Sequence, residues 1–196
     1  MKIRAAATAA LALSAALALS GCTAGADEES MPGMDHGPSA QASAVDDADV
    51  MFASMMIVHH EQAIEMSDIV LGADGVDPSV VALAQQIKAA QGPEIEQLEG
   101  WLDEWGVSQE DRDAGGMDHG DGMMSEDDLS ALRAADGPDA SRLFLEQMIV
   151  HHEGAVEMAQ AQVDDGSDAQ AIELAEAIID AQTDEIQEMK DLLAAL

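Results

Sequence analysis

Apolar residues recur at helical spacing in four stretches. Phe52, Met56, His59, Ala63, Met66 and Val70 share one stripe at 3.6 residues per turn, and so do Phe144, Met148, His151, Ala155 and Met158. Ile87, Gln91, Glu94, Leu98 and Trp101 form a third stripe, and Ile178, Gln182, Glu185, Met189 and Leu192 a fourth. Four long amphipathic helices are therefore predicted. Asp46 or Asp47 caps the first, which runs to about Leu71 and is broken by Gly72 to Gly75. Asp77-Pro78 opens the second, a cap followed by a first-turn proline, and it runs to about Trp105. Gly106 to Met124 reads as a glycine-rich acidic linker, and Ser125 with Asp128 as the capping box of a short helix. Gly137-Pro138 starts the third long helix, which ends near Gly166, and the fourth extends from about Ser167 to Leu196. Gly92-Pro93 conflicts with this pattern, because an interior proline costs about 3 kcal/mol and kinks a helix.

The stripes come in pairs. Phe52 to Met66, containing Met-Ile-Val-His59-His60-Glu61, matches Phe144 to Met158, containing Met-Ile-Val-His151-His152-Glu153, at an offset of 92. Ala84, Ile87, Gln91, Glu94, Ile95 and Leu98 match Ala175, Ile178, Gln182, Glu185, Ile186 and Met189 at an offset of 91. The chain thus contains one helical hairpin twice. The expected architecture is all-α: a four-helix bundle over residues 46–196, with repeat 1 at 46–105, a linker at 106–125 and repeat 2 at 126–196.

The segment before the bundle reads as an address. Lys2 and Arg4 precede an apolar, Ala/Leu-rich run from Ile3 to Leu19, as in a secretory signal peptide. Leu19-Ser20-Gly21-Cys22 looks like a bacterial lipobox, with cleavage after residue 21 and lipidation of Cys22. An ordinary signal peptide or a short membrane anchor is the alternative, although the run is short for a span. Residues 22–45, rich in Ser, Gly, Pro, Asp and Ala, read as a flexible tether. The expected location is the outer face of the cell membrane.

Charge narrows the partners. The 196 residues include 40 acidic and 7 basic ones, a formal net charge of −33. Nothing here would neutralise a row of phosphates, so nucleic acid is excluded as a partner. Docking on anionic lipid by charge is disfavoured too. Aromatics are Phe52, Trp101, Trp105 and Phe144 alone, so the core must be built from Ala, Leu, Ile, Val and Met. Cys22 is the only cysteine, which leaves the bundle without a disulfide or a thiolate metal site.

The chemistry lies in polar residues placed on apolar stripes. His59, His151, Gln91, Gln182, Glu94 and Glu185 can meet in one layer, with His60 and His152 about 100° round their helices. Burying so many polar groups is costly unless they pair or hold an ion. A self-satisfied core network of His bonded to Glu is the plain alternative, as core filling is for the methionines. A second pattern is Gly33-Met34-Asp35-His36-Gly37, repeated as Gly116-Met117-Asp118-His119-Gly120. These strings lie outside any amphipathic stripe, where core filling does not apply. Thioether and imidazole without cysteine select copper, Met suiting Cu(I) and His suiting Cu(II) as well.

Met-Ile-Val-His-His-Glu-x-Ala-(Ile/Val)-Glu-Met followed by Gln-x-x-Glu-Ile resembles the domain of unknown function 305 family, whose members include CopM-like copper-binding proteins. The resemblance covers about residues 46–196. It implies a ferritin-like bundle, export or lipid anchoring, and copper binding and tolerance. It marks Met56, His59, His60, Met66, Met148, His151, His152 and Met158 as ligand candidates, with Gln91, Glu94, Gln182 and Glu185 in a second motif. Met34, His36, Met117 and His119 stand as candidates on ligand chemistry alone. The expected function is sequestration or transfer of copper, as Cu(I), Cu(II) or both, without catalytic turnover. Two alternatives stay open: a metal-free structural or interaction lipoprotein, and a di-metal oxidase. The oxidase usually needs Glu-x-x-His motifs that the inner stripes lack. A homo-oligomer and a copper-transfer partner also stay open.

Overall fold

The computed structural model describes residues 45–115 and 122–196. Among these described residues six helices follow in order: α1 (Asp47–Gly72), α2 (Pro78–Glu104), α3 (Gln109–Gly115), α4 (Glu126–Ala134), α5 (Gly137–Asp165) and α6 (Ala169–Ala195). Among the described residues there is no strand, and no helix is long and apolar enough to cross a membrane. The protein is an all-α helical bundle.

Local chemistry explains the boundaries. The Asp46 carboxylate accepts from the Ala48 and Asp49 amides, and the Asp49 carboxylate accepts from the Asp46 amide, closing a capping box on α1. Asp77 caps α2 at Ser79, ahead of Pro78 in the first turn. Ser125 and Asp128 close a second capping box on α4, and Asp168 caps α6 at Gln170 and Ala171. One detail departs from the sequence pattern. The stretch read as linker contains α3, whose first turn is held by Ser108 accepting from the Asp111 and Arg112 amides. The glycines after it hid this Ser-x-x-Asp start. Pro93 lies inside α2, as the pattern placed it.

Packing of the long helices follows the duplication. α1 packs on α2, α5 on α6, and α1 on α5, while α4 lies across α1 and α5. Each hairpin grips the turn of the other. Asp49, in the first turn of α1, reaches the α5–α6 turn and accepts from Gln162 Nε2 (2.6 Å), Ser167 Oγ (2.8 Å) and the Asp168 amide (3.1 Å). At the corresponding place in α5, Ser141 Oγ accepts from the Asp77 amide in the α1–α2 turn at 2.9 Å. There the Gly137 amide also donates to the Asp74 carbonyl at 2.7 Å. Gly75 and Gly137 face each other with φ of 74° and 57°, conformations that suit glycine. Each of α1 and α5 thus starts beside the far end of the other, so the two run antiparallel through the centre.

The core is split in two. One cluster joins Ala63, Met66, Val70, Leu83, Ile87, Leu129, Leu132, Phe144 and Met148. The other joins Phe52, Met56, Leu98, Trp101, Ala155, Ala175 and Ile178. Along every long helix the residues between the two clusters are the polar ones of the stripe.

Candidate metal centre

His59 on α1 and His151 on α5 meet where the two central helices cross. Their ring centroids are 3.7 Å apart and the planes are tilted by 37°. Both residues are buried, and none of their four ring nitrogens has a hydrogen-bond partner. One helix position further on, each chain direction turns by about 100°. His60 therefore faces α2 and His152 faces α6. Glu94 Oε2 accepts from His60 Nε2 at 2.7 Å, and Glu185 Oε2 accepts from His152 Nε2 at 2.9 Å. The carboxylates thus go to the second histidine of each pair, not to the stripe histidine. An ionised carboxylate at Nε2 calls for a proton there, and the Nδ1 atoms of His60 and His152 are buried and unpartnered. Gln91 and Gln182 are buried in the same layer, each with an unpartnered Oε1.

Electrostatics keep the inner pair neutral. Burial, followed by the neighbouring His60 and His152, lowers the His59 pKa from 6.5 to about 3. Burial, then His59, His152 and His60, pushes His151 well below 6.5. A neutral imidazole is the form that binds metal, because one nitrogen keeps its lone pair. Among the described residues, however, no three His, Cys, Asp or Glu side chains are gathered closely enough to hold an ion by themselves. Any ion here needs thioether donors or a change in side-chain rotamers.

The methionines flank this layer. Met56 lies in the cluster on one side, and Met66 and Met148 lie in the cluster on the other. All three are fully buried, whereas Met158 is half-buried against the Met56 side. Met34, His36, Met117, His119 and Cys22 fall outside the described residues. The chain re-enters at Gly122 (φ 98°), where an added Cβ would come within 2.8 Å of the Val150 carbonyl oxygen and 2.9 Å of Gly154 Cα. Gly122 is thus pressed on the turn of α5 that carries His151 and His152. Gln62 then clamps Met124, donating to its carbonyl (2.9 Å) and accepting from its amide (2.7 Å).

Sequence reasoning passed over Asp49. Its signal was present: position 49 lies one step before Phe52 on the stripe 49, 52, 56, 59, and Ser141 stands the same way before Phe144. Burial raises the Asp49 pKa, but hydrogen bonds from Gln162, the Asp46 amide, Ser167 and the Asp168 amide outweigh it and hold the carboxyl below its ordinary value.

The Glu–His pairs differ in burial, with 26% of the Glu94 side chain exposed and 11% of Glu185. Glu185→Ala is expected to destabilise the protein by about 2 kcal/mol, because it strands a buried imidazole N–H. Glu94→Ala should cost less, since water can reach its site. Urea unfolding of both variants checks the order, and equal costs would contradict it.

The family model "Domain of unknown function (DUF305)" matches residues 49–193. The chain belongs to the DUF305 family. A DUF305 protein from Streptomyces coelicolor, described as secreted, is 35% identical with a TM-score of 0.69, over 76% of this chain and 93% of that one. A DUF305 fragment from Deinococcus radiodurans is 30% identical with a TM-score of 0.66, over 78% and 99%. CopM, solved in Cu(I)-bound and Cu(II)-bound forms, is 29% identical in each, over 75% and 96%, with TM-scores of 0.61 and 0.62. CopM is also solved with silver. No curated protein matches the chain.

Proposed function

We propose that this DUF305 protein is an exported, lipid-anchored copper-binding protein that sequesters copper or hands it on. The observation that carries the reading is the pair of buried imidazoles, His59 and His151, with four unpartnered ring nitrogens at the centre of the bundle. Buried polar atoms are nearly always satisfied, so such a set calls for an ion or ordered water. Neutral imidazole beside thioether is a soft donor set, suited to Cu(I). The similarity to CopM, solved with copper and silver, supports the same choice.

Each group has a stated role. His59 and His151 supply nitrogen donors. Glu94 and Glu185 hold His60 and His152 with Nδ1 free, as carboxylates do behind metal-binding histidines. Met56, Met66, Met148 and Met158 supply soft sulfur from either side of the layer. Met34, His36, Met117 and His119 capture ions outside the bundle; the second string precedes Gly122, which abuts the His151 turn. Cys22 carries the lipid that keeps the protein at the outer face of the membrane.

Anaerobic Cu(I) titration of the purified protein against a chromophoric competitor, repeated with Cu(II), tests this. Replacing His59, His60, His151 and His152 by Ala is expected to remove the tightest Cu(I) site. Replacing His36 and His119 is expected to lower capacity and leave that site. If tight binding vanishes only with His36 and His119, the bundle is a scaffold. If the parent binds no better than an equally acidic control, the histidine layer is structural.

A further inference from the structure

Away from the histidine layer, a cavity of about 250 Å³ opens between the first half of α1 and the last half of α5. Its walls carry three thioethers, Met51 and Met55 from α1 and Met158 from α5, over a floor of Phe52. Met51 and Met55 are one turn apart and so share a face. Ala48 and Ala161 leave the room between the helices, and Asp165 places a carboxylate in the wall. Gln162 also lines the cavity; it is 2% exposed, its amide nitrogen is committed to Asp49, and its Oε1 has no partner.

The duplication supplies an internal control. The same place in the other half of the molecule, at an offset of 92, has Leu143 for Met51, Gln147 for Met55, Met66 for Met158 and Ile69 for Ala161. That twin is filled. α4 lies across it, and Leu129 and Leu132 join Met66 and Phe144 in the core. Gln147 there donates to the Asp128 carbonyl of α4. So, among the described residues, one groove is closed by leucines, while its counterpart is a cavity that carries methionine at both α1 positions. Core filling does not account for Met51, which is 55% exposed.

We propose that Met51, Met55 and Met158 form a second, outward-facing site for a soft monovalent ion, Cu(I) or Ag(I). Methionine's three rotatable bonds let the thioethers close on an ion, and sulfur-only coordination selects Cu(I) over Cu(II) and Zn(II). The proposal rests on the copper reading only for the choice of ion; Met51 and Met55 belong to this groove alone, and Met158 is the one sulfur it would share with the histidine layer.

Ag(I), a redox-inert stand-in for Cu(I), is titrated into the purified protein carrying 13C-methyl methionine and followed by NMR. The methyl resonances of Met51, Met55 and Met158 are expected to shift together. The Met51→Leu/Met55→Leu/Met158→Leu variant is expected to bind one fewer Ag(I) with an unchanged helical spectrum, because Leu-for-Met exchanges conserve volume. Met51→Leu alone, at an exposed position, is expected to weaken the site without touching the core. In the variant lacking His59, His60, His151 and His152 the three methyls are expected to shift still, which separates this site from the histidine layer. Groove methyls that stay fixed while other sites fill, or a triple variant that binds as many Ag(I) as the parent, overturn the proposal.

Discussion

Exchanging both His59 and His151 for leucine is expected to stabilise the metal-free protein while removing its tightest Cu(I) binding. The four ring nitrogens are buried and unpartnered, and each unsatisfied buried polar group costs about 1–3 kcal/mol. Leucine is near enough in size to join the two apolar clusters that flank the layer. A net gain of about 2 kcal/mol, or about 4–8 °C in Tm, follows for a chain of this size. Acid makes the contrast larger. The unfolded histidine binds a proton below 6.5, whereas native His59 resists until about pH 3 and His151 is also held well below 6.5. The native state then carries fewer protons than the unfolded one, so stability falls as pH drops below 6.5. The slope reaches up to about 1.4 kcal/mol per pH unit for each histidine. The double leucine variant should lose that slope, and Cu(I) should raise the Tm of the parent more than that of the variant. Urea unfolding at pH 7 and pH 5, followed by tryptophan fluorescence, reads all of this. A variant less stable than the parent with an unchanged acid slope would mean that ordered water already satisfies the pair.

Asp49→Ala is expected to be the most damaging substitution outside the core. The carboxylate is fully buried and holds the α5–α6 turn through Gln162, Ser167 and Asp168. Hydrogen bonds to a charged group are worth about 1.5–3 kcal/mol each, and removing the acceptor strands several donors at once. A loss of about 3–5 kcal/mol is expected, or about 10 °C in Tm. Ser141→Ala, at the equivalent place in α5, should cost about 1 kcal/mol, because its hydroxyl is neutral. The pH window differs from that of the histidines. The Asp49 carboxyl is held below its ordinary 3.8, so its contribution is present above that value and is lost as pH falls through the lower native one. Thermal melts at neutral pH decide the matter: equal, small shifts in the two variants would show that the latch does not hold the hairpins together.

The copper reading and the latch concern the same geometry. The latch fixes where α1 and α5 cross, and the crossing point sets His59 against His151. Weakening Asp49 should therefore loosen the histidine layer before it disrupts either hairpin.

What the sequence determined by itself was local and periodic. Helical stripes repeat every 3.6 residues, so Phe52, Met56, His59 and Ala63 announce one face wherever the helix lies. Caps depend on neighbours within three residues, which made Asp77-Pro78 and Ser125-Asp128 legible. The duplication is a property of the chain alone, as are the Met-Asp-His strings. α3 escaped because the glycines after it dilute a short helical signal. Tertiary structure decided everything that depends on how two hairpins dock. Both histidines of each pair lie on the same turn, so only the position of α2 and α6 determines that Glu94 and Glu185 take His60 and His152. Only the antiparallel crossing of α1 and α5 brings His59 and His151 face to face, 92 residues apart in sequence. And only the placement of α4 across one of two equivalent grooves fills it with leucines, while Met51, Met55 and Met158 line the other. Periodicity is written within a helix; partner choice is written between helices, and burial enforces it only once the hairpins meet.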